Sequence, residues 1–151
     1  MEIRFGTQED IPRIAEMIRG LKYHIKPRNW SLEKIRNLIQ RRLKNPERYF
    51  YLLIDIGSNV IGVIGADIKN KNRVYLTGGY VETTYRRRGI MRQLEDKFTK
   101  ILRTKGIKRV DLDVVAHNIE GTKTWLSLGY KTIKTLDLKN TSKLIMRKEI
   151  E

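Results

Sequence analysis

The stretch GGYVETTYRRRGIMRQLEDKFTKIL, which ends at Leu102, limits what this chain can fold into more than any other. Val74, Tyr75 and Leu76 just before it are strand formers. Met91, Leu94, Phe98, Ile101 and Leu102 recur at helical spacing, so the stretch reads as strand, basic turn and long helix. Gly78-Gly79 within the strand marks a bulge or a close approach of another backbone. Arg86, Arg87, Arg88 and Gly89 stand directly before the helix. The first N–H groups of a helix have no partner inside it, and the helix dipole favours negative charge there. Gly89 has no Cβ, so an anion can reach the main chain. The arginines add cationic, fork-shaped donors. Such a turn is a cradle for a phosphorylated group, most naturally a pyrophosphate.

The chain around it alternates between helical and strand patterns. Residues 2–5 read as a short strand. Thr7 with Asp10 resembles a capping box, Pro12 falls in the first turn, and Ile11, Ile14, Ala15 and Ile18 give one apolar face that stops near Gly20. A basic, aromatic connector around Pro27 leads to Ser31, the cap of a second helix with Leu32, Ile35, Leu38, Ile39 and Leu43 inward. Residues 49–56, 60–68 and 74–81 form an antiparallel meander. Residues 109–115 are the next strand, parallel to 74–81 because a helix crosses over between them. A short helix over 119–128 ends at Gly129, and residues 130–138 and 143–148 make a terminal hairpin. There is no repeat or linker, so one mixed α/β domain over residues 1–151 is expected.

Composition removes several chemistries. The chain has no cysteine, which excludes disulfides, thiolate nucleophiles and cysteine zinc sites. His24 and His117 are the only histidines, too few for a multi-histidine metal site. No apolar run approaches the roughly 20 residues of a membrane span, and Met1-Glu2-Ile3-Arg4 does not resemble a signal peptide. A cytoplasmic protein without membrane contact, monomeric or homodimeric, is the expectation. Lys and Arg number 32 against 17 Asp and Glu, a net charge of +15 that attracts nucleotides, nucleic acid or acidic protein surfaces.

Arg86-Arg87-Arg88-Gly89-Ile90-Met91 resembles the (Gln/Arg)-x-x-Gly-x-(Gly/Ala) signature of the GNAT acetyltransferases, with Val81 five residues ahead of it. Met91 departs from the pattern, where Gly or Ala is usual. A second stretch, VVAHNIEGTKTWLSLGY, is similar to the later half of such a domain. Asn118 stands in the Asn place, Gly121 where a small residue is usual, Trp125 where Tyr is frequent, and Gly129-Tyr130 closes the motif. The resemblance implies a mostly antiparallel sheet of about seven strands with a splayed parallel central pair, flanked by about four helices. It implies acetyl-CoA as cosubstrate and no metal. The coenzyme would lie along Val81, Arg86, Arg87, Arg88, Gly89, Ile90, Met91 and Arg92, with Asn118, Gly121 and Trp125 across the cleft.

The reaction so implied is direct attack of an amine on the thioester, with no enzyme nucleophile. The protein then supplies positioning, an oxyanion donor and proton routes. Backbone N–H groups of Tyr80, Val81 and Glu82 are the candidate oxyanion donors. Trp125 cannot act as an acid, so Tyr23, Tyr75, Tyr80 or water must protonate the thiolate. Asp113, where some protein-acetylating relatives carry Glu, and Glu82 are the candidate bases, with His117 a third. Asp111 and Asp113 share a strand face, where mutual repulsion would raise one pKa; alternatively both pair with nearby Lys or Arg. Glu82 alternatively pairs with an arginine of the turn. In this family the first two helices, their connector and the terminal hairpin form the acceptor site. Here they carry Lys22, Lys26, Arg28, Arg41, Arg42, Lys131 and Lys134, which favours an acidic or macromolecular acceptor such as a protein N-terminus or lysine, with an amino acid or other small carboxylated amine as the alternative. The alternative is a basic nucleic-acid-binding or regulatory module that senses acetyl-CoA without efficient catalysis.

Overall fold

Alternation along the second strand shows how the sequence builds the architecture. Phe50, Leu52 and Ile54 are buried in one apolar cluster, and Tyr51 and Leu53 in another. Successive side chains of a strand face opposite ways, so a strand apolar at every position must be covered on both faces. The structure, a computed structural model, describes residues 1–21 and 30–151. It contains β1 (Glu2–Phe5), α1 (Ile11–Arg19), α2 (Leu32–Leu43), β2 (Tyr49–Ile56), β3 (Asn59–Asn70) and β4 (Arg73–Val81). Then follow α3 (Ile90–Thr104), β5 (Arg109–Val115), α4 (Ile119–Ser127), β6 (Lys131–Asp137) and β7 (Ser142–Glu149). The seven strands form one sheet in the order β1-β2-β3-β4-β5-β7-β6. The β4–β5 pair is parallel and every other pairing is antiparallel, as the resemblance implies.

α1 and α2 cover one face through Ile14, Ala15, Met17, Ile35 and Ile39, packed on Tyr51, Leu53 and Val63. α3 covers the other with Ile90, Leu94, Phe98 and Leu102, joined by Trp125 and Leu128 near α4. The start of α1 is fixed locally: the Asp10 carboxylate accepts from the Thr7 N–H at 2.8 Å and from Arg4 at 2.8 and 2.9 Å. Gly106, at φ +72°, ends the run of α3 in the left-handed conformation that glycine adopts cheaply.

Two irregularities shape the centre of the sheet. β4 and β5 pair only at Arg73↔Arg109, Val74↔Val110 and Tyr75↔Asp111, and their remaining residues diverge. On its other side β4 carries a bulge: Gly65 faces Gly78 and Ala66 faces Leu76, so Thr77 is the extra residue. The sequence suggested a bulge at Gly78-Gly79, and it falls one residue earlier. The reason lies opposite, at Gly65. A Cβ there would collide with the Thr77 hydroxyl and lie 2.9 Å from Tyr51 Cε1, so the missing side chain lets both groups close over the strand. Gly65→Ala is therefore expected to cost about 1–3 kcal/mol of stability, the usual range for overpacking a fitted site. Urea unfolding checks this, and a variant as stable as the parent would show that Thr77 and Tyr51 move aside freely.

Candidate functional site

The basic turn arrives at α3 in a strained shape. Gly89 is the N-cap residue at φ +75°, with nothing within 4 Å of where a Cβ would stand. Among the described residues Arg87 is the one non-glycine at positive φ, +63°. Holding a residue with a Cβ there costs about 1–2 kcal/mol. The three arginines divide their work. Arg86 donates from Nε to the Val81 carbonyl at 2.8 Å and lies over the Tyr80 ring. Arg88 lies over the Tyr85 ring, and Arg87 faces the cleft. Arg92, in the first turn of α3, reaches the Ser127 carbonyl at the end of α4 at 3.4 Å.

Between this turn, the end of β4 and α4 lies a cavity of about 440 Å³. It is lined by Tyr80, Val81, Arg86, Arg87, Gly89, Ile90, Met91 and Arg92 on one side and by Asn118, Gly121 and Trp125 on the other. Arg88 is the one expected coenzyme-binding residue outside this lining. Tyr85, Thr124 and Ser127 also line it and were not singled out from the sequence. Tyr85 belongs to a 3-10 turn, Thr83–Tyr85, that no periodicity announces. Asn118 caps α4, accepting from the Gly121 N–H at 2.9 Å. A Cβ on Gly121 would lie 2.8 Å from Asn118 Cγ, so the small residue and the cap are one device. The two departures from the family pattern also meet. A Cβ on Gly79 would lie 3.0 Å from the Trp125 indole and 3.1 Å from Met91 Cε. Gly79 therefore makes room for both large side chains.

A second cavity, of about 590 Å³, opens on the α1–α2 face of the sheet. Leu38 and Arg42 of α2 form part of its wall, and Tyr51, Val63, Tyr75, Thr77 and Asp113 belong to its floor. It shares Leu21, Gly79, Asn118 and Trp125 with the first. The two cavities thus meet where β4 and β5 part. Strand alternation decides which backbone donors face that gap. The Glu82 N–H is taken by the Ile61 carbonyl at 2.8 Å, and Tyr80, two residues back, points its N–H the same way, toward β3. Of Tyr80, Val81 and Glu82, only the Val81 N–H turns toward the β5 side.

The carboxylates fall in distinct places. Asp113 lies on the floor of the second cavity, and its Oδ2 accepts from the Tyr75 hydroxyl and from Lys143 Nζ at 3.3 Å. Neither contact involves Oδ1. Burial, and then the bond to Asp113, push the Tyr75 hydroxyl far above an ordinary phenol, so it remains a donor throughout the neutral range. Asp111 does not face Asp113 as an unpaired repeller. It pairs across the ladder with Arg147 at 2.7 and 3.2 Å and with Arg73 at 3.7 Å, because Asp111 and Arg147 are register partners. Glu82 lines neither cavity. Its partner is Arg13 of α1, at 2.7 Å, rather than an arginine of the turn, whose side chains stack on Tyr80 and Tyr85 instead. His117 is exposed, with Nδ1 3.2 Å from the Thr141 hydroxyl, and lines neither cavity. Lys131, Lys134 and Arg41 are exposed, while Arg42 is half-buried in the second cavity wall. Lys22, Tyr23, Lys26 and Arg28 lie outside the described residues. No group of three or more metal-ligating side chains occurs among the described residues, and none of their helices is long and apolar enough to cross a membrane.

Comparison with known proteins agrees with this geometry. The family model described as acetyltransferase (GNAT) family matches residues 14–130. No protein of curated function matches the chain by sequence. Similar solved structures include Ard1 from Thermoplasma volcanium, at 19% identity and TM-score 0.82, with 99% of this chain and 97% of that one covered. PaiA N-acetyltransferase from Thermoplasma acidophilum, in complex with coenzyme A, is 24% identical with TM-score 0.77 and 98% of both chains covered. The ribosomal-protein-S18-alanine N-acetyltransferase from Escherichia coli is 19% identical with TM-score 0.77, covering 99% of this chain and 94% of that one.

Proposed function

The chain belongs to the GNAT acetyltransferase family, and on that premise we propose that it is an acetyl-CoA-dependent N-acetyltransferase acting on a primary amine, a peptide N-terminus in particular. The meeting of the two cavities at Gly79, Asn118 and Trp125, in the gap between β4 and β5, carries this reading. A cleft that ends at a helix N-terminus suits the pyrophosphate, and it opens directly onto a separate groove for the acceptor. The open space at Gly89, the Arg87 side chain and the first turn of α3 fit the phosphates. Unpaired β4 backbone fits the amides of the pantetheine arm, which adds to the strand edge as a peptide would. Bound acetyl-CoA supplies the thioester whose acetyl group passes to the amine.

The chain's own residues then have defined tasks. The Val81 N–H donates toward the polarised carbonyl oxygen. Asp113 holds the incoming ammonium at Oδ1 and accepts its proton, while Tyr75 and Lys143 keep the carboxylate fixed through Oδ2. Trp125, which borders both cavities, and Met91 beside it at Gly79 narrow the first cavity where it meets the second. The proton for the departing thiolate comes from Tyr80, which lines the cleft, or from water, since an indole does not supply one. Calorimetric titration with acetyl-CoA and dephospho-CoA, followed by mass spectrometry of a peptide and amine panel, tests the assignment. Binding of both coenzymes with acetylation of at least one amine is the expected result. Failure to bind either removes the enzyme reading.

A further inference from the structure

Among the described residues, the wall of the acceptor groove contains one cation without a carboxylate partner. Lys143 is held by Asp113 at 3.3 Å and Lys69 by Asp67 at 2.8 Å. Arg42, on the α2 wall, has no carboxylate partner among the described residues. Its Nη1 donates to the Tyr51 hydroxyl at 3.1 Å, and its guanidinium lies over the Tyr49 ring. Tyr51 is only 2% exposed and lines the same groove. Having accepted from Arg42, its hydroxyl still carries a proton to donate, and no acceptor for it is found among the described residues. Arg42 and Tyr51 together present N–H and O–H donors, one of them charged, side by side. Paired donors of this kind match the two oxygens of a carboxylate.

We propose that Arg42 and Tyr51 bind an acidic side chain of the acceptor, and that the acceptor is a peptide whose second or third residue is Asp or Glu. This rests on the N-acetyltransferase reading of the same groove. The spacing selects the class. Tyr51, Gly65 and Gly78 form one cross-strand row, so Tyr51 stands two strand spacings from β4, the near edge of the gap, and the reacting amine lies at least that far away. At 4.7–4.9 Å per spacing that is roughly 10 Å. The carboxylate of a free α-amino acid is attached to the same carbon as its amine and falls well short. Extended peptide covers about 3.3–3.6 Å per residue, so an acidic side chain two or three residues along reaches the pair. The 590 Å³ groove also lies within the usual range for a bound small ligand, enough for a short peptide segment.

The test compares acetylation of paired peptides, Ala-Glu and Ala-Ala-Glu N-termini against their Gln twins, with free glutamate as a third arm. The parent protein is expected to favour the acidic twin by roughly 10–100-fold in kcat/KM, the range of one charge-assisted contact. In Arg42→Gln the ratio is expected to fall to within about two-fold of one, mainly through KM, and in Tyr51→Phe to fall at least about three-fold. Equal turnover of both twins by the parent overturns the Arg42–Tyr51 site and leaves the N-acetyltransferase reading standing. So does an acidic preference that survives intact in folded Arg42→Gln, or free glutamate as the best acceptor. No transfer to any peptide by protein that binds acetyl-CoA removes the peptide acetyltransferase reading, and this inference with it.

Discussion

Gly89→Asp is expected to weaken coenzyme A binding at least about 100-fold, a loss of roughly 2.7 kcal/mol. Two effects combine at this position. A carboxylate placed at the helix N-terminus opposes the charge that the turn attracts, and like charges about 4 Å apart repel by several kcal/mol at the effective dielectric of a protein surface. The residue must also keep φ near +75°, which costs any side chain except glycine's hydrogen. Sterics contribute nothing, since no atom lies within 4 Å of the new Cβ. Gly89→Ala separates the two effects: it keeps the backbone penalty, about 1–2 kcal/mol, without the charge. Calorimetry on both variants reads the difference directly. Unchanged affinity in Gly89→Asp would move the phosphate site away from this turn.

The second large effect is expected at Asp113. Asparagine there keeps the size and an oxygen to accept from Tyr75, yet cannot take a proton. We expect kcat to fall about 100- to 10,000-fold, the range for losing a general base, with coenzyme affinity unchanged. The separation follows from placement, since Asp113 lines the second cavity, proposed for the acceptor, and not the first, proposed for the coenzyme. Single-turnover acetylation of the preferred amine, alongside coenzyme titration, distinguishes the outcomes. A variant with parental kcat would reduce the Tyr75–Asp113–Lys143 cluster to a structural tie.

Much of this was legible in the sequence, and the parts that were not have physical causes. Strands and helices could be placed because their apolar periods are strong: Leu94, Phe98 and Leu102 share one face of α3, and β2 is apolar from Phe50 to Ile54. Asn118 as a cap, and Gly129 at φ +97°, follow from chemistry local to a few residues. What depends on register was hidden. Tyr75 meets Asp113 only because two parallel strands pair in one particular alignment. The partner of Asp111 came from the opposite strand, 36 residues away, and that of Glu82 from α1, 69 residues away. The Arg42–Tyr51 pair had a faint signal, a basic residue ending an amphipathic helix, but nothing in the chain's order announces the buried hydroxyl beside it. The bulge moved from glycine to Thr77 because the glycine that mattered was Gly65, on the neighbouring strand.

The brief ladder between β4 and β5 has a consequence for how the molecule breathes. Three residue pairs, the Tyr75–Asp113 and Arg73–Asp111 contacts and the packing of α3 hold the β1–β4 half-sheet to the β5–β7–β6 half-sheet. Such a seam opens locally at less cost than a full ladder, so its amides are expected to exchange with solvent sooner than those of the long β2–β3 pairing. On the proposed reading, a coenzyme arm seated in the gap would supply the missing plank. Exchange along β4 and β5 is then expected to slow together, with the two halves melting as one body.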